Sequence, residues 1–311
     1  MDIIEVRGLS IEYSGGKKSV RDCTFSVREG ETFGLLGSNG AGKSTILKTF
    51  AGLNKDYDGE IKIFGKDCRS EGGGIFPAVS YIPQHACMFR DFSVRENLEF
   101  FARMEGMGGE RKDKRIDELL EFFLLKRFEA APAGSLSGGY RQLLNIALSN
   151  LVDKRVVLMD EPTAGLDLWA KRKVVEYIKL LKKSGRTVIL TTHDLEEAED
   201  ICDDAVILAE GRILGKGNVR ELLLEMGGGY TIYVYIKEPE RLRNLKLKFS
   251  AQFAVFRDHI VVEANPKSIG PAIRELVTKL ERAGIEISEI DVREPSLSYV
   301  FSSLMSGGEK R

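Results

Sequence analysis

Cysteine is scarce in this chain. It has four in 311 residues, and Cys23, Cys68, Cys87 and Cys202 include no CxxC spacing. That argues against a disulfide framework or a zinc site and for reduced thiols in a cytosolic protein. There is no excess of either charge: 46 Lys plus Arg face 47 Asp plus Glu, for a net charge of −1. A nucleic-acid binder normally carries a basic excess or stripe, so no nucleic-acid partner is expected. Short basic runs such as Arg111–Arg115 and Lys171–Lys173 alternate with acids or fall on predicted helices, as solvated faces do. No run approaches the eighteen or so apolar residues that a membrane span needs. Met1–Arg7 is acidic and alternating, unlike a secretory signal. The expectation is a soluble chain that depends on a partner at any bilayer.

Glycine, by contrast, is placed where phosphate chemistry needs it. GSNGAGKST runs from Gly37 to Thr45, between a short apolar strand (Thr32–Leu36) and a helix through Ile46–Phe50. Gly37, Gly40 and Gly42 let the backbone turn tightly and aim its N–H groups at phosphate oxygens. Ser38, Asn39, Ala41 and Thr45 complete the loop, and the helix N-terminus adds partial positive charge. Lys43 can reach the outer phosphates, and the Ser44 hydroxyl can hold Mg²⁺. About a hundred residues on, LSGG (Leu136–Gly139) sets the hydroxyl of Ser137 and the N–H groups of Gly138 and Gly139 ahead of a predicted helix, Tyr140–Asn150. In this order, and followed by VVLMDEP (Val156–Pro162), the motifs describe an ATP site built between two protein copies.

Four apolar runs each end in a group suited to nucleotide chemistry. Thr32–Leu36 precedes the loop, Val79–Ile82 precedes Gln84, Arg155–Met159 precedes Asp160, and Thr187–Thr192 precedes His193. Unbroken apolar runs fit strands of a parallel sheet covered on both faces, and ligands collect outside the carboxyl ends of such strands. Asp160 suits Mg²⁺, usually through water, because that ion dehydrates reluctantly. Glu161 is the candidate to orient or deprotonate the attacking water. Gln84 can coordinate the metal or the water and so sense the γ-phosphate, and His193 can hydrogen-bond it. His85 and His259 have no such setting.

With these motifs the chain resembles the ATPase subunits of ABC transporters over roughly residues 2 to 222. The resemblance adds AGLD (Ala164–Asp167) where that family has its D-loop, with Asp167 at the nucleotide interface, and Tyr13 where it has an aromatic that stacks on adenine. It implies ATP and Mg²⁺ as cofactors and a head-to-tail dimer, a homodimer or a paired cassette subunit, in which Ser137, Gly138 and Gly139 of one copy meet the other copy's ATP. It also implies an integral membrane permease partner whose short helix enters a groove beside Gln84, and hence a cytoplasmic protein peripheral on the inner face of the membrane. Two positions depart from the family pattern: Tyr140 where Gln is most frequent, and Ser38 where Pro is common. Tyr140 is expected to alter rate or helix docking without abolishing function.

The expected fold is α/β, a P-loop NTPase ABC cassette with a parallel-sheet core, an N-terminal antiparallel β part and an inserted helical subdomain. A small C-terminal α+β ferredoxin-like domain follows. The ATPase domain is expected at 1–226, its helical subdomain at about 88–150 (Val94–Met104, Asp113–Leu125, Tyr140–Asn150), and the second domain at 230–308. Glycine clusters at Gly72–Gly74 and Gly227–Gly229 mark a strand connection and a linker. The C-terminal pattern runs strand (Tyr230–Ile236), helix (Pro239–Leu245), strands (Phe253–Phe256, Ile260–Glu263), helix (Ile269–Ala283), strand (Ile285–Val292) and helix (Leu297–Met305). EPSLSYVF (Glu294–Phe301) is similar to the tail of drug- and antibiotic-exporter ATPases of the daunorubicin-resistance type. Phe89, Phe92, Phe100 and Phe101 cluster after Gln84, and two readings stand: all simply pack the insertion, or at least one contacts the membrane partner. The reading is the ATP-hydrolysing subunit of an exporter. An importer subunit, whose tail would be a small β-barrel, and a soluble non-transport cassette, which needs two cassettes or coiled-coil arms, are the alternatives.

Overall fold

Apolar side chains at spaced positions make the first two strands one-sided. β1 (Asp2–Tyr13) buries Ile4, Val6, Leu9 and Ile11, and β2 (Lys17–Arg28) buries Val20, Cys23, Phe25 and Val27. They pair antiparallel. β3 (Thr32–Gly37) leads directly into α1 (Lys43–Phe50), and the chain then returns to the first sheet as β4 (Asp58–Ile63) and β5 (Lys66–Asp67). That sheet has the order β2-β1-β4-β5. The computed structural model describes residues 1–13, 17–69, 76–225, 230–238, 240, 242, 253–264, 268–294, 296 and 297. The clusters Gly72–Gly74 and Gly227–Gly229 lie outside them, as do most of Pro239–Leu245 and all of Leu297–Met305 after Leu297.

The second sheet positions the site. After β6 (Val79–Ile82) come three helices, α2 (Val94–Met104), α3 (Gly109–Phe122) and α4 (Gly138–Ser149). Then follow β7 (Val156–Asp160), α5 (Leu168–Lys183), β8 (Thr187–Thr192), α6 (Leu195–Ile201), β9 (Asp204–Ala209) and β10 (Arg212–Asn218). The strand order is β10-β9-β3-β8-β7-β6, parallel except at β10. β3, β7 and β8 are buried at every residue. Covered on both faces, they have no solvent side to demand polar alternation.

Helix ends show what the periodicity alone did not fix. α2 starts in a capping box, with Ser93 and Glu96 each bonding the other's backbone N–H. α3 stops at Phe122, short of the expected Leu125, because Leu124 takes a left-handed φ of 54°. Gly138 and Gly139, expected ahead of their helix, form its first turn, since Ser137 is the extended N-cap.

The chain divides into two compact units, Met1–Val219 and Arg220–Arg311. In the first, a core of Phe25, Phe33, Ile46, Leu47, Phe50, Ile61 and Leu208 joins the two sheets through α1. Phe25 stacks on Phe33 at 5.6 Å and meets the fully buried Phe50 at 6.3 Å. Phe50→Ala is expected to destabilise this unit by about 3–5 kcal/mol, seen as a lower urea midpoint.

α7 (Val219–Glu225) precedes the second unit's sheet of β11 (Tyr230–Ile236), β12 (Phe253–Val255), β13 (His259–Ala264) and β14 (Ile287–Arg293). All its pairings are antiparallel, in the order β12-β13-β11-β14. That is the split order of a ferredoxin-like unit, not a barrel. α8 (Ile269–Arg282) buries Ala272, Leu276 and Leu280, one face at successive turns, in a core with Ile232, Val234, Ile260 and Val262.

Candidate active site

Two glycines in the loop after β3 are there for steric reasons. Gly37 has φ 147° and Gly42 φ 103°, and an added Cβ would lie 2.2 Å from the Leu208 carbonyl oxygen and 2.4 Å from that of Ser19, respectively. No other residue fits either position. Between them Ser38, Asn39 and Gly40 are exposed, while Ala41, Lys43 and Thr45 are buried at the base. The first turn of α1 contains no acidic residue, so its partial positive charge is left for an anion.

Lys43 reaches back across the loop. Its Nζ donates to the carbonyls of Gly37 (2.8 Å) and Ser38 (3.1 Å) and stands 3.5 Å from Glu161 Oε1. Burial pulls the ammonium below its ordinary pKa, and the Glu161 carboxylate opposes that shift.

The two carboxylates after β7 are sent to different partners by the backbone. Asp160 Oδ1 accepts from Ser44 Oγ at 2.7 Å and from Thr191 Oγ1 at 2.8 Å, and Oδ2 faces Tyr81 Oη at 3.4 Å. Glu161 has a left-handed φ of 46°. Such a conformation costs a non-glycine residue about 1–3 kcal/mol and persists only when its surroundings hold it. Here its N–H donates to Thr191 Oγ1 at 2.9 Å. The Glu161 side chain then faces Lys43, while Gln84 Nε2 donates to its Oε2 at 3.4 Å and His193 Nδ1 lies 3.3 Å from the same oxygen.

Residues from four strand ends therefore meet at one carboxylate. β3, β8, β7 and β6 are consecutive neighbours in the sheet, so the loop, His193, Asp160–Glu161 and Gln84 follow each other along its carboxyl edge. Asp167 is the N-cap of α5 and accepts from Ala170 N at 2.8 Å. Ser137 is exposed, and its side chain makes no capping bond to α4. Tyr13 closes β1 opposite Lys17; its side chain lies outside the described residues.

Several contributors were not singled out from the sequence. Thr191 Oγ1 braces the Asp160 carboxylate and the Glu161 backbone N–H together. Asn145, buried in α4, donates to Pro83 O at 3.0 Å and accepts from Cys87 N at 3.3 Å, tying the signature helix to both flanks of Gln84. An asparagine inside the apolar run LLNIAL was the available signal. Glu197 is buried and accepts from Thr163 Oγ1 at 2.6 Å, with Lys171 at 3.8 Å. Burial, the largest influence, raises its pKa against those two partners.

Among the described residues no group of three or more His, Cys, Asp or Glu could hold a metal ion by itself. The donors that do meet, Ser44 Oγ and Asp160 Oδ1 at 2.7 Å, are few and both hard oxygens. That fits Mg²⁺, which keeps waters and takes its remaining ligands from phosphates.

A phosphate loop, a metal-suited Ser–Asp pair and a buried glutamate on one sheet edge define a P-loop ATPase. Residues 20–164 match the ABC transporter family. The chain is 35% identical over 303 residues to the Nod factor export ATP-binding protein I of a Rhizobium sp., across 95% of this chain and 97% of that protein. It is 33% identical over 309 residues to a daunorubicin resistance ATP-binding protein of Streptomyces coeruleorubidus, across 99% and 97%. A solved ATP-binding cassette, dimeric in a post-hydrolysis state with ADP and Pi, superposes with a TM-score of 0.64 at 25% identity, covering 69% of this chain and 98% of that one. The chain belongs to the ABC transporter family, among its ATP-binding, ATP-hydrolysing subunits.

Proposed function

We propose that this chain drives a membrane exporter by closing head-to-tail on a second cassette around ATP. The observation that carries the reading is the convergence of Lys43, Gln84 and His193 on Glu161, beside the Ser44–Asp160 pair. Lys43 and the loop N–H groups would bind the outer phosphates. Ser44 and Asp160, with Gln84, would hold Mg²⁺, which when bound neutralises charge on the phosphate oxygens. Glu161 would take the proton of the attacking water, with His193 and Gln84 orienting that carboxylate and the γ-phosphate.

The shared site is supported by what the signature residues leave unused. Ser137 does not cap its own helix, and a Cβ on Gly138 would meet nothing within 4 Å. Nothing among the described residues demands a glycine there, whereas close approach of a second subunit's nucleotide would. The solved dimeric cassette has the same fold. Tyr13 would stack on adenine, and Asp167 would lie at the subunit interface.

No helix among the described residues is long and apolar enough to cross a membrane. In this reading transport would use a permease partner, with this chain acting at the cytoplasmic face. Its docking site would be the groove of about 550 Å³ bordered by Tyr81, Pro83, Cys87, Phe101, Met104 and Leu148. Phe89, Phe92 and Phe100 pack on one another at its margin with ring centroids 4.9–6.3 Å apart and stay substantially exposed. The four-stranded α+β tail sets the chain apart from an importer subunit with a barrel tail. Export is also what the Rhizobium relative's name states for that protein.

Sedimentation of the full chain tests the two-copy site. With Mg²⁺ and a non-hydrolysable ATP analogue a dimer is expected, and Ser137→Ala is expected to weaken it and to lower turnover by about tenfold, the scale of one hydrogen bond to a charged group. A chain that stays monomeric, with Ser137→Ala at full turnover, overturns the reading.

A further inference from the structure

Three aromatic rings from three segments meet beside the signature loop. Tyr140, in the first turn of α4, lies edge-on to Phe128 with centroids 4.7 Å apart, and 5.4 Å from Trp169 at a tilt of 48°. Arg127 donates to the Tyr140 hydroxyl oxygen, and its guanidinium carbon sits 4.7 Å over the Phe128 ring and 5.1 Å over that of Tyr140. Next to this stack, a Cβ on Gly139 would be 3.3 Å from Ala170 Cβ and 3.8 Å from Asp167 Oδ2. The first turn of α4 and the first turn of α5 are thus in direct contact, through rings on one side and through Gly139, Asp167 and Ala170 on the other.

We propose that Phe128, Tyr140 and Trp169, capped by Arg127, are a clasp that makes the signature loop and Asp167 move as one body, with Tyr140 and Trp169 as positioning residues for hydrolysis. This rests on the two-copy site above. Ser137–Gly139 and Asp167 both face the second cassette in that reading. Held separately, they would each have to be ordered on closure; clasped, they are ordered once, which lowers the entropic cost of reaching the hydrolytic state.

The stack is poorly suited to a mere core role. Trp169 is 41% exposed, and an open cleft of about 540 Å³ bordered by Glu121, Leu124, Lys126, Arg127, Tyr140 and Trp169 leaves one side in solvent. Its contacts run between helices, where Tyr140 supplies a ring and a hydroxyl acceptor together.

The test is steady-state ATP hydrolysis by the full chain, with ATP affinity measured calorimetrically on the same samples. Tyr140→Leu and Trp169→Ala are each expected to lower kcat about tenfold, with affinity for ATP within about twofold of wild type. The double variant is expected to be no slower than the slower single, because contacting residues that act as a unit are non-additive. Trp169→Phe, which keeps a ring against Tyr140, is expected to recover most of the rate. Wild-type kcat in the single variants, a double variant whose loss is the product of the two, or a Trp169→Phe as slow as Trp169→Ala overturns the clasp. Ser137→Ala run alongside separates the two ideas. If it is slow while the ring variants are additive, only the clasp fails; if it turns over normally, the two-copy site fails with it.

Discussion

Glu161→Gln is expected to bind ATP as the wild type does and to hydrolyse it about 10²–10⁴-fold more slowly, the usual contribution of a positioned general base. Glutamine keeps the volume and one acceptor oxygen, so the contacts to Lys43, Gln84 and His193 need not collapse. What it loses is the capacity to take a proton. Because binding survives and hydrolysis does not, the variant should accumulate as an ATP-loaded dimer. Phosphate release and sedimentation read the two halves of this outcome. Turnover near wild type would remove Glu161 from the role of base, and the left-handed turn that aims it would need another purpose.

Lys43→Ala is expected to fail one step earlier, at binding. The ammonium is a buried cation whose hydrogen bonds go to two loop carbonyls and whose nearest carboxylate is Glu161. Its removal deletes charge-assisted contacts to phosphate, each contributing about 1.5–3 kcal/mol, so ATP affinity should fall roughly ten- to a hundredfold. It also leaves Glu161 without its cation, which should slow any residual hydrolysis. Calorimetry with ATP measures the first effect, and unaltered binding would contradict the phosphate-loop assignment. The two variants are diagnostic as a pair, since one separates binding from hydrolysis and the other lowers both.

Much of this was legible because the chemistry sits in short, contiguous stretches. The loop Gly37–Thr45, the run ending at Asp160–Glu161 and the strand before His193 each announce their place through unbroken apolar residues followed by polar ones. The covered strands allow no other pattern, and Val79–Ile82 and Thr187–Thr192 appear in the structure with the expected ends. What could not be read is what adjacency in the sheet creates. Thr191 looks like one more polar strand residue until its register opposite Asp160 shows it bonding the Asp160 carboxylate and the Glu161 backbone N–H. The φ of Glu161 has no local signature either, and the hydroxyl that meets its N–H comes from a neighbouring strand. Tyr140 stood out only as a departure from a familiar motif, and its partners Phe128 and Trp169 are far enough away in sequence that no periodicity joins them.

The placement of β8 between β3 and β7 also bears on how this protein is born. The strand that supplies the phosphate loop and the strand that supplies Glu161 are not neighbours; Thr187–Thr192 fills the gap. On the ribosome, β3 must wait for everything from Gly37 to Thr192 to emerge, roughly 8–30 s at ordinary elongation rates. Until then both edges of β3 and one edge of β7 have no partner, which is the state most prone to aggregation and to chaperone capture. A nascent chain arrested before Thr187 would hold every phosphate-loop residue and still lack a working pocket.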